Sequence, residues 1–325
     1  MNQEIFSTEQ QDVEGLPARA LAPFLMQMPP RERLELILKY QDPEAVVAAM
    51  PAEDFFFTVM EIGADDALPL LALAKVEQLN LIFDVEWWQK ESLAPAKALQ
   101  WLERLQGASA KKLLEWLYQA DFELLVSLFK KWTRVSLIQE DLDPLEARET
   151  LPPNTLDDQY YWGAQYPQYE ALIGRILQLL FEVNQGFYRE LLNHVLWSLE
   201  AEVEDDAYRF QRGRLEDHAI PDYYDAVTIY GAPGSRSSGI RRRACAADPE
   251  TSAPSFALSL VPEGDFLHRA LQLVEEPALL DTLRLELAST ANKVMVADGL
   301  SPESPESLHL AVQKSIAWVG LGLET

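Results

Sequence analysis

The sequence predicts an all-α protein in which an N-terminal solenoid of helical repeats precedes a second helical domain. The first observation is an internal repeat. Met28-Pro29-Pro30-Arg31-Glu32 opens one apolar-patterned run, and Met50-Pro51-Ala52-Glu53-Asp54 opens another 22 residues later. A third start, Ala74-Lys75-Val76-Glu77, follows at a similar interval. This period accommodates one helix and a turn, which is typical of stacked helical repeats.

The second observation is the spacing of apolar residues, which fits helices from Leu16 to about Arg134. Asp42 can accept a hydrogen bond from a free N–H group at a helix start, Pro43 is tolerated in the first turn, and Ser109 is placed to cap a later helix. Three apolar stripes follow: Ala98, Trp101, Leu102 and Leu105; Leu113, Trp116 and Leu117; Phe122, Leu125, Val126 and Phe129. The last run also carries Leu124, Leu128 and Trp132, so we expect a helix that is packed on two faces.

The third observation is a change of pattern after this block. Asp and Pro residues between 136 and 165 favour turns and predict a connection between two helical bodies. Its aromatic residues indicate that the connection packs against these bodies. Helical stripes then return, and Ser304-Pro305-Glu306 is placed to start the last helix. The stripes comprise Leu172, Ile173, Ile176, Leu177 and Leu180, followed by Leu191, Leu192, Val195 and Leu199.

These patterns predict six segments along the chain. The termini and linkers are a flexible N-terminus at 1–15, the connection at 136–165 and a flexible Gly/Ser/Arg-rich loop at 231–255. The helical parts are the superhelix at 16–135, an acidic helical domain at 166–230, and C-terminal helices at 256–325 that complete the second domain.

Composition limits the classes of function. The chain has 325 residues, a formal net charge of −25 and a single cysteine, Cys245. Such an acidic protein should repel nucleic acid and anionic membrane surfaces. One cysteine excludes an internal disulfide and a cysteine-rich metal site. Because no signal peptide and no membrane-spanning run is evident, we expect a cytoplasmic protein that does not insert into membranes.

An acidic run is the first candidate site. Glu202 and Asp206 would share one helix face, with Asp205 beside them, and such carboxylates can hold Mg²⁺ through oxygen ligands. The alternative is a solvated face whose charges meet the arginines at 209, 212 and 214. We therefore expect no cofactor, with Mg²⁺ as the alternative.

Four other groups of residues resemble parts of catalytic, metal-binding or reactive-thiol sites. His218 and Asp222 lie among further carboxylates, and a general base could be imagined there. Glu190 and His194 are one helical turn apart, which is half of a carboxylate–His metal site. Asp141 and Asp143 resemble the start of a calcium loop, but the glycine and the final glutamate are absent. Cys245 beside Arg241-Arg242-Arg243 is more simply an incidental thiol.

Two aromatic clusters are candidate partner contacts. They lie in the predicted connection and near the end of the acidic domain, and aromatic side chains supply much of the binding energy at protein interfaces. The residues are Tyr160, Tyr161, Trp162, Tyr223 and Tyr224.

Much of the chain, except 231–255, resembles a bacterial domain-of-unknown-function family of all-helical proteins. The resemblance rests on Phe55, 62–67, the Trp87–Trp88 region, 97–102, 121–125, 151–157, 207–215 and 291–299. That family implies helices but no activity and no catalytic residues.

Residues 16–132 are also similar to the N-terminal superhelical domain of MgtE magnesium transporters and to helical repeats of flagellar motor switch proteins. The Met-Pro-Pro-Arg-Glu-Arg-Leu pattern at 28–34 carries this likeness. It implies an armadillo-like superhelix for the N-terminal part, and no Mg²⁺ ligand maps residue by residue.

We found no catalytic motif, so the leading hypothesis is a non-enzymatic cytoplasmic scaffold or adaptor that presents a helical surface to a protein partner. The alternatives are an Mg²⁺-responsive regulatory module and an enzyme that uses His218 and Asp222.

Overall fold

The fold is described from a computed structural model, which describes residues 17–138, 150–231, 253–302 and 304–324. Among these residues helices dominate and the strands form only two small sheets, so the predicted all-α class is confirmed. The solenoid arrangement stays a prediction.

Six helices begin the described chain. They are α1 (Ala18–Leu25), α2 (Pro30–Lys39), α3 (Pro43–Ala49), α4 (Ala52–Ile62), α5 (Leu68–Leu73) and α6 (Val76–Glu86). Each of the three repeat starts coincides with a helix start. Pro29 and Pro51 are the N-cap residues of α2 and α4, with nearly equal backbone angles of φ −54°, ψ 145° and φ −53°, ψ 149°. The Met-Pro repeat therefore specifies the same local entry into a helix.

The middle of the chain mixes helices with short strands. Its elements are β1 (Trp88–Gln89), β2 (Ser92–Leu93), α7 (Pro95–Ala108), α8 (Ala110–Gln119), α9 (Phe122–Trp132), β3 (Thr133–Leu137), β4 (Asn154–Thr155), β5 (Tyr160–Ala164), α10 (Glu170–Val183), α11 (Gln185–Trp197) and α12 (Glu200–Asp217). A 3₁₀ turn at Pro167–Tyr169 leads into α10.

The last part of the chain is helical. Its elements are α13 (Tyr223–Val227), a 3₁₀ turn (Thr228–Tyr230), α14 (Phe256–Ser259), α15 (Phe266–Leu271), α16 (Pro277–Ala297) and α17 (Pro305–Glu324). The predicted caps form as expected. The side chains of Asp42 and Ser109 accept hydrogen bonds from the backbone N–H groups of Ala45 and Lys112, at 3.0 and 3.2 Å.

The described chain forms two compact units. Residues within 17–82 and 215–324 form unit 1, and residues within 83–214 form unit 2. These limits differ from the predicted segments, whose first helical body ends at 135. The predicted segmentation stays a prediction, because a compact unit need not be the unit that folds independently.

Unit 2 has an aromatic core. The rings of Phe83 and Trp87 are stacked with centroids 4.1 Å apart, and Trp116 meets both rings edge-on. Trp132 is also fully buried, and its indole N–H donates to the carbonyl of Pro95 at 2.9 Å. The side chains of the stripes predicted on α7 and α8 are buried, as are those on α9 apart from the half-buried Phe122.

The predicted connection contains strands, which the sequence reading missed. β5 lies between β3 and β4 in an antiparallel sheet, with Val135 opposite Trp162. Side chains alternate along β5, because Tyr160 and Trp162 are buried while Tyr161 is half-buried. This period of two is a strand pattern, but it extends over too few residues to stand out among helices.

One predicted stripe is wrong at its end. Leu191, Leu192 and Val195 are buried on α11, whereas Leu199 is 64% exposed. The helix ends at Trp197, and Ser198 adopts extended backbone angles, so Leu199 no longer lies on the helix face that the spacing assumed.

Candidate functional site

Helix α4 of unit 1 carries three acidic side chains that bind other segments. Asp54 is fully buried. Its Oδ1 accepts hydrogen bonds from the backbone N–H groups of Ser255 and Phe256 at 2.7 and 2.8 Å, and Oδ2 accepts from Ser255 at 2.9 Å. Burial raises the pKa of Asp54 to about 7, although these N–H groups and Arg33 favour the ionised form.

The other two carboxylates of α4 contact histidines. Glu53 Oε1 lies 2.9 Å from Nδ1 of His218, which precedes α13. Glu61 Oε1 lies 2.9 Å from Nε2 of His309 on α17. Because Glu53, Asp54 and Glu61 hold three different segments, α4 is a central support of unit 1.

Buried Arg33 completes this polar cluster from α2. Its guanidinium donates to the carbonyls of Leu25 and Met28, to the Thr58 hydroxyl at 2.8 Å and to Glu61 at 3.0 Å. Burial lowers the pKa of Arg33 from its ordinary value, and Glu61 opposes that effect. A guanidinium that is bonded on all sides in this way fixes the ends of α1 and α4 relative to α2.

An apolar pocket lies beyond α14 in the same unit. It has a cavity volume of about 90 Å³. Its walls come from four helices: Leu258 of α14, Leu267 and Leu271 of α15, Leu283, Glu286, Leu287 and Thr290 of α16, and Val319 of α17. The arrangement can accept an aliphatic group, because only Glu286 and Thr290 are polar.

Exposed apolar and acidic residues are close in sequence to the lining residues Leu271 and Leu283. Leu273, two residues beyond the pocket-lining Leu271, is 83% exposed, and Leu279 is also exposed. The side chains of Glu275, Glu276 and Glu286 are exposed as well. Glu286 lines the pocket, and the other four stand in sequence between the lining residues Leu271 and Leu283. We call Leu273, Leu279 and these three glutamates the pocket rim.

The residues predicted as a metal site lie on α12 with other partners. Glu202 is exposed, and Arg209 pairs with Asp205 at 3.5 Å and with Asp206. Glu200 and Glu204, on the same helix, pair with Lys131. Within the described ranges, no cluster of three or more His, Cys, Asp or Glu residues could hold a metal ion.

The predicted partner contacts divide into two groups. Tyr160 and Trp162 are only 9% and 4% exposed, because β5 packs them into unit 2, where the Trp162 ring lies against Gly174 of α10. A buried side chain cannot anchor a partner, so these two are corrected to core residues and Tyr161 is half-buried. Tyr223 and Tyr224 are 58% and 80% exposed and remain candidates.

The structure shows which side chains contact His218, Asp222 and His194. His218 contacts Glu53, whereas Asp222 caps α13 by accepting the N–H of Asp225 at 2.8 Å. His194 lies against the Phe122 ring, with Nδ1 3.3 Å from the Ser198 hydroxyl. The structure therefore gives His218 and Asp222 separate roles. Asp141, Asp143, Arg241-Arg242-Arg243 and Cys245 lie outside the described residues.

The sequence reading missed Asp54 and Arg33. Asp54 stands in the first turn of a helix, where acidic residues are common because they suit the helix dipole. The one available signal was the run Phe55-Phe56-Phe57 directly after it, which indicates a helix apolar on most faces and therefore a buried neighbour.

Comparison with known proteins gives a family. Among the described residues, no helix combines the length and the apolar character needed to cross a membrane. No curated protein and no solved structure matches the chain. The model of one family, described as "Family of unknown function (DUF6178)", matches residues 10–325. Since this match spans nearly the whole sequence, the chain belongs to the DUF6178 family of unknown function.

Proposed function

We propose that the protein is a non-enzymatic interaction scaffold that binds a protein partner through unit 1. The observation that carries this proposal is the apolar pocket with the exposed Leu273 two residues from its wall. Concave sites lined mostly by apolar side chains with a few polar groups are typical binding sites. A pocket this small suits one aliphatic side chain of a partner better than a substrate.

The charge of the pocket rim indicates the chemistry of the partner. Glu275, Glu276 and Glu286 are exposed, while the nearby Arg284 is occupied by Asp281 at 2.7 Å. A segment with an apolar anchor and basic flanking residues would match this surface, since complementary charges favour encounter and correct orientation.

The exposed tyrosines support the same assignment. Tyr223 and Tyr224 contact each other edge-on with ring centroids 5.9 Å apart, on the short helix α13 that packs against α16. Paired aromatic side chains at a surface are frequent hot spots of binding. Helix α16 thus carries pocket walls and supports the tyrosine pair.

Site-specific photocrosslinking tests the proposal. We would place p-benzoylphenylalanine at position 273, with position 183 as the matched control, because Val183 is an exposed aliphatic residue of unit 2. Irradiation in the native cells should give a discrete adduct only from position 273. The triple variant E275K/E276K/E286K should weaken that adduct without loss of folding.

Two outcomes would overturn the proposal. One is the absence of a discrete adduct at position 273. The other is the same set of adducts from positions 273 and 183, since this pattern indicates contact without a specific site.

A further inference from the structure

Helix α11 of unit 2 has an aromatic face as well as the face that it buries. The buried face comprises Tyr188, Leu191, Leu192 and Val195. Glu190, His194 and Trp197 follow one another at spacings of four and three residues, so they share a second face of the helix, and all three are exposed. The sequence reading noted Glu190 and His194 as half of a metal site, but their place beside Trp197 indicates a surface of another kind.

Rings from two neighbouring helices extend this face. Phe122 of α9 meets the His194 ring edge-on with centroids 5.1 Å apart, and it meets Phe187 of α11 at 5.9 Å. Phe187 in turn contacts Tyr118 of α8 at 5.5 Å. Phe122 and Phe187 are half-buried, and Tyr118 is exposed. Exposed apolar residues that stand singly are normal on protein surfaces, whereas contiguous ones mark interaction sites.

Trp197 continues this run of rings, because it lies one turn of α11 beyond His194. Its side chain is 70% exposed, whereas the other seven tryptophans are buried or half-buried. Leu199, two residues farther along the chain, is exposed too. Tryptophan is enriched among the residues that dominate the binding energy of interfaces. We call Phe122, Glu190, His194 and Trp197 the α11 surface, with Trp197 as its anchor.

Carboxylates give the α11 surface a negative charge. Glu190 lies within it, and Glu202, five residues beyond Trp197, is also exposed. A two-fold interface brings the same surface of two copies together, so it would place these carboxylates near one another. Like charges oppose that arrangement, and they also repel nucleic acid and anionic membranes. The charge of the surface therefore favours a cationic partner.

Two lysines of α9 reach α11 and α12, but their ammonium groups are engaged. Lys130 Nζ donates to the carbonyl of Val195 at 2.6 Å. Lys131 Nζ lies 2.9 Å from Glu200 and 3.0 Å from Glu204. Both ammonium groups are therefore bonded to groups outside the α11 surface, and these bonds leave its negative charge in place.

Arginine is the cation that suits aromatic rings and carboxylates together. Its planar guanidinium stacks on an aromatic face and pairs with a carboxylate through two N–H groups, whereas the lysine ammonium is a compact and strongly hydrated charge. Tryptophan is the best aromatic partner for a cation. Unit 2 already contains such a contact, since the guanidinium of Arg104 lies 5.4 Å from the centre of the Trp101 ring.

We propose that the α11 surface binds an arginine-rich segment of a protein partner, with one guanidinium stacked on Trp197 and another paired with Glu190. Trp197 is seven residues after Glu190, which corresponds to about 10 Å along the helix. One short segment therefore reaches both side chains. This surface belongs to unit 2 and does not depend on the pocket of unit 1, so the two together give the scaffold a binding surface on each unit.

Isothermal titration calorimetry of the full chain tests the proposal with two synthetic peptides. The arginine peptide is acetyl-Gly-Arg-Leu-Arg-Gly-Arg-amide, and the lysine peptide has lysine in place of each arginine. The arginine peptide should bind saturably and several times more tightly than the lysine peptide, because the two carry the same charge but only guanidinium groups stack and form paired hydrogen bonds. In NMR spectra the indole N–H signal of Trp197, which W197A identifies by its loss, should shift during the titration.

W197A is the decisive variant, because the exposed indole can be removed without loss of folding. It should weaken binding of the arginine peptide roughly tenfold. F210A is the matched control, since Phe210 is an exposed aromatic residue of α12 in the same unit and lies outside the α11 surface. This control should bind the peptide as wild type does. E190Q should weaken binding roughly threefold and reduce its dependence on salt.

Three outcomes would overturn the proposal. One is the absence of saturable binding of the arginine peptide to wild type. Another is equal affinity of W197A and F210A for this peptide, or equal affinity of wild type for the two peptides, since either result indicates general attraction between a basic peptide and an acidic protein. The third is a wild-type dimer in analytical ultracentrifugation that W197A abolishes, because a second copy would then occupy the surface.

This test is separate from that of the pocket in unit 1. Trp197 is the last residue of α11, whereas Val183, the control position for photocrosslinking, lies just before the other end of that helix. Peptide binding that W197A weakens, without a crosslink at position 273, would retain the α11 surface and remove the pocket assignment. A crosslink at position 273 without peptide binding would lead to the opposite conclusion.

Discussion

Arg214 and Asp84, which are 130 residues apart in sequence, pair through two parallel hydrogen bonds. Nε and Nη2 of Arg214 lie 2.7 and 2.8 Å from the two carboxylate oxygens of Asp84, and Nη1 also contacts Asp121. Asp84 is nearly fully buried. Burial alone would lower the pKa of Arg214, but bonding to these two carboxylates raises it above its ordinary value. The pair ties α12 to α6 and to the start of α9 within unit 2.

We expect R214A to lower the free energy of unfolding by about 3 kcal/mol, because it removes the two hydrogen bonds between the guanidinium and the buried carboxylate of Asp84. Urea denaturation measures the loss. R209A is the matched control on the same helix, since Arg209 is exposed and its ion pairs with Asp205 and Asp206 lie within α12. Its cost should stay under about 1 kcal/mol. Equal costs for the two variants would contradict this account.

Two buried tryptophans should respond differently to removal of the indole N–H. Trp87 and Trp132 are both fully buried, but Nε1 of Trp87 has no hydrogen-bond partner among the described residues, whereas that of Trp132 donates to Pro95. W132F should therefore cost about 1 kcal/mol more than W87F in urea denaturation. A larger loss in W87F would indicate that Trp87 has a polar contact, such as a buried water.

Asp54 should make global stability depend on pH. Its folded-state pKa of about 7 lies above the unfolded value near 4, so the folded state binds the extra proton and Asp54 destabilises it as pH rises. Relative to wild type, D54N should gain about 2 kcal/mol between pH 5 and pH 7.5. Denaturation of both proteins at the two pH values measures the difference. A constant difference would show that burial does not raise the pKa of Asp54 into this interval.

The carboxylates of α12 should not bind a divalent cation specifically. Lys131 already lies 2.9 Å from Glu200 and 3.0 Å from Glu204, and Arg209 pairs with Asp205 and Asp206. Thermal unfolding with Mg²⁺, Ca²⁺ or Mn²⁺ should therefore match KCl at equal ionic strength. K131A, which frees Glu200 and Glu204, is the variant most able to reveal a hidden site. A saturable stabilisation of wild type by one ion would restore the cation-responsive hypothesis.

Much of the helical structure could be predicted because its signals are local. Asp42 and Ser109 act through N–H groups three residues away, and the Met-Pro starts specify a helix entry by backbone geometry alone. The error at Leu199 has the opposite origin. No glycine or proline marks the end of α11, so the apolar spacing continued past a helix that had already stopped.

The sheet and the α4 contacts could not be predicted because they join distant residues. β3 and β5 pair across a long interval, so neither strand shows its partner in the local sequence. Asp54 bonds to Ser255, 201 residues away. Before folding, its carboxylate looks like any acidic residue in the first turn of a helix, and only tertiary burial distinguishes it.

The placement of the tryptophans gives the protein a built-in optical reporter. Seven of the eight, including Trp87, Trp116 and Trp132, fall within unit 2, and Trp318 alone falls within unit 1. Intrinsic fluorescence should therefore follow unit 2 almost exclusively, while far-ultraviolet circular dichroism follows the helices of both units. If the two signals change at different urea concentrations, the units unfold separately, and if they coincide the chain melts as one cooperative body.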